Sequence, residues 1–318
     1  MNEASFLYRA APLLLLLGIT SACLSLPQDG SGTLSVNSSA RNYELVRTQF
    51  IESNGTRYAY RRFGKESAVP LVLFQHFRGS MDNWDPALLN TLAQERTVIA
   101  FDNKGVSSSS GTTPDSFKAM ADDAAEFISG LGYKKVDILG FSIGGAVAQE
   151  VLLNHPNLVR KAVLAGTAPQ GGAGLNERRP EIVALATRPS SELEDFLTLF
   201  FETSESSQKL GRAFLDRRRQ RAVDPEPASS PQTMAAQGKA RRDWGAIPDP
   251  GFQRLKRIEH PVLVANGSND IMMPTINSYI LFQNLQNAQL ALYPDSGHGF
   301  LFQYPELFAQ HVSIFLNN

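Results

Sequence analysis

Apolar residues are distributed along the chain in two alternating ways. Short continuous apolar runs predict strands that are buried on both faces. These runs are Val69–Phe74, Thr97–Phe101, Val136–Phe141, Lys161–Ala165, Pro261–Ala265 and Gln289–Tyr293. Between and after them, apolar residues recur at helical spacing in Trp84–Ala93, Phe117–Ser129 and Pro305–Phe315. Strands that alternate with helices predict an α/β fold with a mainly parallel, doubly wound sheet and helices on both faces.

Two regions depart from this alternation. Arg47–Phe63 alternates polar and apolar residues around Ser53-Asn54-Gly55, which predicts an opening hairpin. Residues 170–250 contain no strand pattern, but Glu192–Phe201 and Gln208–Arg221 have helical spacing. We interpret this insert as a helical cap over the site. Its arginine clusters are interpreted as solvated charge on exposed helix faces rather than as an anion site; they comprise Arg217, Arg218, Arg219, Arg221, Arg241 and Arg242.

The N-terminal segment is typical of a secretory signal peptide. Leu13–Leu17 is too short to span a bilayer, and the small residues Ser21 and Ala22 precede Cys23. We expect residues 1–22 to be a signal peptide, residues 23–42 a flexible tether and residues 43–318 the folded domain. Cys23 is a candidate for lipidation, which would tether the protein to a membrane; plain cleavage and an uncleaved anchor are the alternatives. The protein is then secreted or held at the cell envelope.

Composition narrows the function classes. The chain has 318 residues, 42% of them hydrophobic, and a net charge of −1, so nothing indicates a nucleic-acid partner. Its single cysteine excludes an intrachain disulfide and a thiolate metal site. The five histidines lack metal-ligand spacing. We therefore expect no metal and no organic cofactor.

The pentapeptide Gly140-Phe141-Ser142-Ile143-Gly144 follows a predicted strand and precedes an apolar helical run. A strand, a sharp turn and a helix in this order place a serine hydroxyl at the top of a sheet. Glycines flank the serine because side chains there would collide with the neighbouring elements. Ser142 is therefore the candidate nucleophile.

A serine hydroxyl needs a base to act as a nucleophile at neutral pH. His298 lies in a loop after the last predicted strand, at the edge where ligands meet an open α/β sheet. His76 also follows a strand and is the alternative base. We expect His298 to be the base for Ser142.

The base needs a carboxylate that fixes its tautomer. Asp270 follows the predicted strand Pro261–Ala265. Asp295 is too close to His298 in the chain to reach its ring easily, and Asp102 is interpreted as a turn or capping residue. Asp270 is therefore the candidate acid.

Negative charge that develops on a carbonyl oxygen also needs donors. The backbone N–H of Ile143 is one candidate, because it directly follows the nucleophile at the start of a helix. The second donor is expected from the loop 75–79, Gln-His-Phe-Arg-Gly.

Taken together, these segments resemble the α/β-hydrolase superfamily, and in particular its small-molecule esterases and cofactor-free haloperoxidases. The matching segments start at Leu71, Phe101, Gly140, Gly267 and Ser296. The resemblance implies Ser142, Asp270 and His298 as nucleophile, acid and base, with oxyanion N–H groups from Phe77 and Ile143. The superfamily usually has His-Gly at positions 75 and 76, where this chain has Gln-His. His76 or Arg78 would then contribute a side chain to substrate binding.

The expected activity is cleavage of a small-molecule ester, thioester or lactone through an acyl-enzyme. Peroxide or an alcohol in place of water would give a perhydrolase or an acyltransferase with the same triad. A catalytically inactive ligand-binding protein is the non-enzymatic alternative. The sequence leaves the acyl chain, the acceptor and the oligomeric state open.

Overall fold

A computed structural model describes residues 42–189 and 193–318 of the chain. The predicted signal peptide, Cys23 and all of the predicted tether except Asn42 lie outside the described residues. Within them, eight strands form one sheet in the order β1-β2-β4-β3-β5-β6-β7-β8. The strands are β1 Gln49–Ser53, β2 Thr56–Gly64, β3 Leu71–Phe74, β4 Thr97–Phe101, β5 Val136–Phe141, β6 Val159–Ala165, β7 Val262–Gly267 and β8 Ala288–Tyr293.

The sheet is mainly parallel, as the sequence predicts. Strands β1 and β2 form the predicted antiparallel hairpin, and β2 also pairs antiparallel with β4. Every other pairing, from β4 through β3, β5, β6 and β7 to β8, is parallel. The carboxyl ends of six strands therefore meet at one edge, which is where an open α/β sheet binds its ligands.

Helices cover both faces of the sheet. They are α1 Pro86–Ala93, α2 Phe117–Gly130, α3 Ile143–Asn154, α4 Pro180–Ala186, α5 Leu193–Phe200, α6 Glu205–Arg218, α7 Pro231–Ala246, α8 Ile276–Asn284, α9 Phe300–Gln303 and α10 Pro305–Asn317. In β3, Leu71 and Leu73 pack on the face covered by α1 and α10, whereas Val72 and Phe74 pack on the face covered by α2 and α3. This alternation of side chains makes the fold doubly wound.

Helices α4 to α7 lie within the insert that the sequence predicts. The patterns at 192–201 and 208–221 correspond to α5 and α6, while α4 and α7 were not predicted. No helix in 42–189 or 193–318 is long and apolar enough to cross a membrane.

The interpretation of the arginine clusters as solvated charge is wrong for several of their members. Arg217 of α6 donates two hydrogen bonds, of 2.9 and 2.6 Å, to Asp85, whose side chain is fully buried. Arg221 donates to two backbone carbonyls near the start of the folded domain, and Arg218 lies against aromatic rings. The partners of Arg217 and Arg221 lie far away in the sequence, so the local charge pattern did not reveal them.

Candidate active site

Ser142 lies at the turn between β5 and α3. Its backbone angles are φ 59° and ψ −122°, a region that a residue with a side chain rarely adopts. The two flanking glycines make this turn sterically feasible. A Cβ on Gly144 would lie 2.2 Å from the carbonyl oxygen of Phe74, and one on Gly140 would lie 2.3 Å from the carbonyl oxygen of Gly144. The sequence motif therefore folds into the strained turn that it predicts.

His298 and Asp270 meet in the loops that follow β8 and β7. Nδ1 of His298 lies 2.7 Å from Oδ2 of Asp270, and both side chains are buried. The other carboxylate oxygen of Asp270 accepts the backbone N–H groups of Met272 at 2.7 Å and Met273 at 2.9 Å. Because Asp270 is held by these bonds, it orients the imidazole and assigns the proton to Nδ1, which leaves Nε2 as the basic nitrogen.

Ser142 and His298 line the same cavity, whose volume is about 620 Å³. The ring of Phe141, the residue before the nucleophile, lies 4.8 Å from the His298 ring. The predicted pocket residues His76, Phe77 and Arg78 line this cavity as well. Three segments that are distant in the sequence therefore converge on one space at the carboxyl edge of the sheet.

The backbone N–H groups of Phe77 and Ile143, the two candidates for the oxyanion hole, donate a hydrogen bond to none of the described residues. Their neighbours are engaged differently: the N–H of His76 donates to Oε1 of Gln75, and the N–H of Arg78 donates to Oε1 of Gln237. Unpaired N–H groups beside a nucleophile are the donors that a developing oxyanion requires.

Arg78 lines the cavity, but its guanidinium is hydrogen-bonded within the protein. It donates to the backbone carbonyls of Arg188 at 2.7 Å and Pro189 at 2.9 Å, just after α4. Its φ of 61° bends the loop, and burial lowers the pKa of its guanidinium. Arg78 therefore ties the candidate oxyanion loop to the cap, and this structural role adds to its predicted place in the pocket.

The two rejected carboxylates are engaged away from His298. Asp295 accepts hydrogen bonds from the hydroxyls of Ser204 and Ser206. Asp102 is buried, and its Oδ1 accepts the backbone N–H of Met81 at 2.8 Å. Asp102 therefore has a structural role, as its position suggests, and Asp295 bonds to the start of α6 rather than to His298.

The cap supplies cavity residues that sequence reasoning did not find. Phe196 and Phe200 of α5 and Arg218 of α6 line the cavity opposite the sheet, and Gln237 of α7 holds the loop of Arg78. The arginine cluster was the one available signal for Arg218. In residues 42–189 and 193–318, no three His, Cys, Asp or Glu side chains are grouped as a metal site requires.

Comparison with known proteins agrees with this fold. The family model described as alpha/beta hydrolase fold matches residues 69–305. A poly(3-hydroxyalkanoate) depolymerase from Ectopseudomonas oleovorans is 28% identical over 277 residues, covering 86% of this chain and 92% of its own. A non-heme chloroperoxidase from Streptomyces lividans is 27% identical over 285 residues, covering 84% and 98%.

The solved structures include a similar chain. An alpha/beta hydrolase fold protein from Chitinophaga pinensis is 47% identical and superposes with a TM-score of 0.82, covering 87% of this chain and 99% of that one. The curated relatives include this depolymerase and a putative carbamate hydrolase from Rhizobium rhizogenes. The chain is therefore a hydrolase and belongs to the alpha/beta hydrolase fold family.

Proposed function

We propose that this enzyme cleaves carboxylic esters, including thioesters or lactones, through an acyl-enzyme on Ser142. One observation carries the proposal. The 2.7 Å bond between His298 and Asp270 holds a buried imidazole in the cavity that the strained Ser142 also lines. A nucleophile, a base and an orienting carboxylate in this order define acyl-transfer chemistry.

The proposed reaction has two steps. Nε2 of His298 takes the proton of the Ser142 hydroxyl while its oxygen attacks the substrate carbonyl, and the N–H groups of Phe77 and Ile143 bind the oxyanion. The proton passes from His298 to the leaving alcohol as the ester bond breaks. Water then attacks the acyl-enzyme with His298 again as base, which releases the acid and restores Ser142. Asp270 accepts the Nδ1 hydrogen bond throughout and stabilises the imidazolium.

The relatives support ester cleavage. One of them depolymerises a poly(3-hydroxyalkanoate), a polymer linked by ester bonds. This chain covers 92% of that relative, so the similarity extends over nearly its whole length.

The test is substitution of the nucleophile. Ser142→Ala should lower turnover of p-nitrophenyl butyrate by about 10⁴-fold or more, because the oxyanion hole and substrate binding alone retain little catalysis. It should also abolish labelling by a fluorophosphonate. Ser206→Ala, at an exposed serine of α6, is the matched control and should keep both activities. Unchanged turnover in the Ser142 variant would exclude the mechanism.

We also propose that residues 1–22 direct the enzyme to the cell envelope, with Cys23 as its lipid anchor. The support is the leader sequence alone. Metabolic labelling with a radioactive fatty acid should mark the wild-type chain and leave a Cys23→Ser variant unmarked. Labelling of both chains would contradict the anchor.

A further inference from the structure

Among the described residues, three buried polar atoms on side chains that line the cavity have no hydrogen-bond partner: Nε2 of His76, Nη1 of Arg218 and Oε2 of Glu226. Glu226 lies against the carboxyl of Asp102, whose pKa is raised well above its usual range and which therefore supplies a proton between the two carboxyl groups. His76 and Arg218 have no such neighbour. Both side chains line the cavity that contains Ser142. Buried polar groups are nearly always paired in folded proteins, so these two need an explanation. The proposed mechanism uses neither of them.

The His76 ring is a hydrogen-bond acceptor at its free nitrogen. Its Nδ1 lies 2.9 Å from the carbonyl oxygen of Phe77, and because a carbonyl only accepts, Nδ1 carries the proton. Burial lowers the pKa of His76 to about 3, the hydrogen bond with the Phe77 carbonyl opposes this, and the nearby His298 and Arg218 lower the pKa further. The ring is therefore neutral near pH 7, and Nε2 presents a lone pair that needs a donor.

Arg218 presents the opposite requirement. Its guanidinium lies over the rings of Phe196 and Phe214, 5.4 and 5.9 Å from their centroids. A guanidinium is charged at all accessible pH values and only donates. The buried Nη1 therefore needs an acceptor.

The carboxylates of the cavity wall are already engaged with other arginines. Asp82 pairs with Arg61 at 2.6 Å, and Glu226 pairs with the same guanidinium at 3.1 Å. Asp195 lies 2.8 Å from Arg188. A ligand group with a lone pair would satisfy Nη1 of Arg218.

His76 lies directly beside the reacting groups. Its ring is 5.6 Å from Phe141 and 5.4 Å from Phe200, and these same two rings lie 4.8 and 5.1 Å from His298. Phe200 in turn stacks on Phe196 at 3.9 Å. A substrate arm that leaves Ser142 along these rings passes His76 and then reaches the aromatic surface that holds Arg218.

We propose that the substrate is an ester whose arm in this cavity carries a hydroxyl group, which donates to Nε2 of His76 and accepts from Nη1 of Arg218. The inference rests on the proposed ester hydrolysis. A hydroxyl both donates and accepts, so its chemistry matches the requirements of both atoms. An alkyl arm leaves both unpaired, and a carboxylate would satisfy Arg218 but face the lone pair of His76.

The experiment compares matched esters with purified protein. p-Nitrophenyl butyrate and 3-hydroxybutyrate, and the hexanoate and 6-hydroxyhexanoate, test a hydroxyl on the acyl side. Ethyl and 2-hydroxyethyl butyrate test the alcohol side. At least one hydroxylated ester should have a kcat/KM about 10-fold to 100-fold above its partner, because each unpaired buried group costs roughly 1–3 kcal/mol.

Variants then assign the preference to its residues. In His76→Phe and Arg218→Met, the ratio of kcat/KM within the preferred pair should fall towards one. Arg219→Met, at the exposed neighbour of Arg218, should keep the wild-type ratio. Equal rates within every pair, or a preference for p-nitrophenyl succinate that depends on Arg218 and not on His76, would overturn the inference.

A binding measurement distinguishes the failure of this inference from the failure of the proposed function. Titration calorimetry of Ser142→Ala with the same esters should show tighter binding of the hydroxylated member. Tighter binding without turnover by the wild type would remove the catalytic proposal and keep the hydroxyl site. Turnover without any hydroxyl preference would remove the hydroxyl site and keep the catalytic proposal.

Discussion

The sheet side and the cap side of the cavity are built in different ways. On the sheet side, short loops at strand ends hold the candidate catalytic groups, and both oxygens of Asp270 are paired. On the cap side, Arg218 reaches the cavity from a helix and leaves Nη1 unpaired. Under the two proposals above, the sheet fixes the chemistry, while the cap selects the substrate that completes its hydrogen bonds.

The largest expected effect is a loss of activity when a residue on the sheet side of the cavity is changed. Asp270→Asn keeps an oxygen for the N–H groups of Met272 and Met273 but directs an amide N–H at Nδ1 of His298. The imidazole then carries its proton on Nε2 and cannot act as the base, so kcat/KM for p-nitrophenyl butyrate should fall by about 10³–10⁴-fold. An unchanged unfolding midpoint serves as the folding control. A loss of less than about tenfold would contradict the role of Asp270.

The next effect tests how the cap is attached to the sheet. Arg217→Met removes the partner of Asp85, whose side chain is fully buried, and should lower the free energy of unfolding by about 2–3 kcal/mol. The loss stays below that of a fully buried pair because Arg217 is 28% exposed. Arg219→Met, whose partner Asp216 is exposed, should change it by no more than about 0.5 kcal/mol. Urea denaturation measures both variants, and equal losses would contradict the assignment.

The free energy of unfolding is expected to depend on pH through Asp102, which directly follows β4. Burial and the neighbouring Glu226 raise the pKa of Asp102 well above 3.8, while the Met81 N–H and Arg61 oppose this. The folded state therefore keeps a proton that the unfolded state loses, so this contribution to stability is complete below pH 3.8 and is lost as the pH rises through the folded pKa.

Asp102→Asn removes that titration, since an uncharged amide replaces the carboxyl. We expect the free energy of unfolding of the variant to fall less than that of the wild type between pH 5 and pH 9. Urea denaturation at several pH values checks this expectation, with Asp216→Asn as an exposed control. Parallel pH profiles of the wild type and the Asp102 variant would exclude the raised pKa.

The smallest effect is a gain in stability within the cap. Gly238 lies inside α7, and a Cβ there would meet only the flexible end of Arg242, at 3.4 Å. Gly238→Ala should therefore stabilise the fold by about 0.5–1 kcal/mol. Gly144→Ala is the opposing case, because its Cβ would lie 2.2 Å from a backbone carbonyl. Thermal unfolding should move upward for the first variant and downward for the second, and the same sign for both would contradict this contrast.

The sheet could be predicted from the sequence because its signals are local. Strands β3, β4 and β7 contain continuous apolar runs, and the turn at Ser142 is encoded within five residues. The loops that carry Asp270 and His298 directly follow such runs, so parallel strands bring them to one edge. Their meeting at 2.7 Å follows from this topology.

The cap could not be predicted to the same degree because its important contacts are distant in the sequence. Arg217 and Asp85 are 132 residues apart, and Arg78 and Gln237 are 159 apart. Helix α7 carries a weak amphipathic pattern, and its position depends on such a long-range bond. A single sequence does not show which arginine of a cluster faces a carboxylate, a ring or a cavity.

The bonds of Arg78 have a consequence for exchanging parts between related enzymes. The guanidinium of Arg78 donates to the backbone carbonyls that follow α4. Its backbone N–H, one position after the candidate oxyanion donor, donates to the side chain of Gln237. A chimera that imports a foreign lid onto this scaffold would therefore disturb catalytic geometry as well as specificity. Transplanting residues 75–79 together with the cap keeps these hydrogen bonds intact. The two segments should therefore be exchanged as one unit.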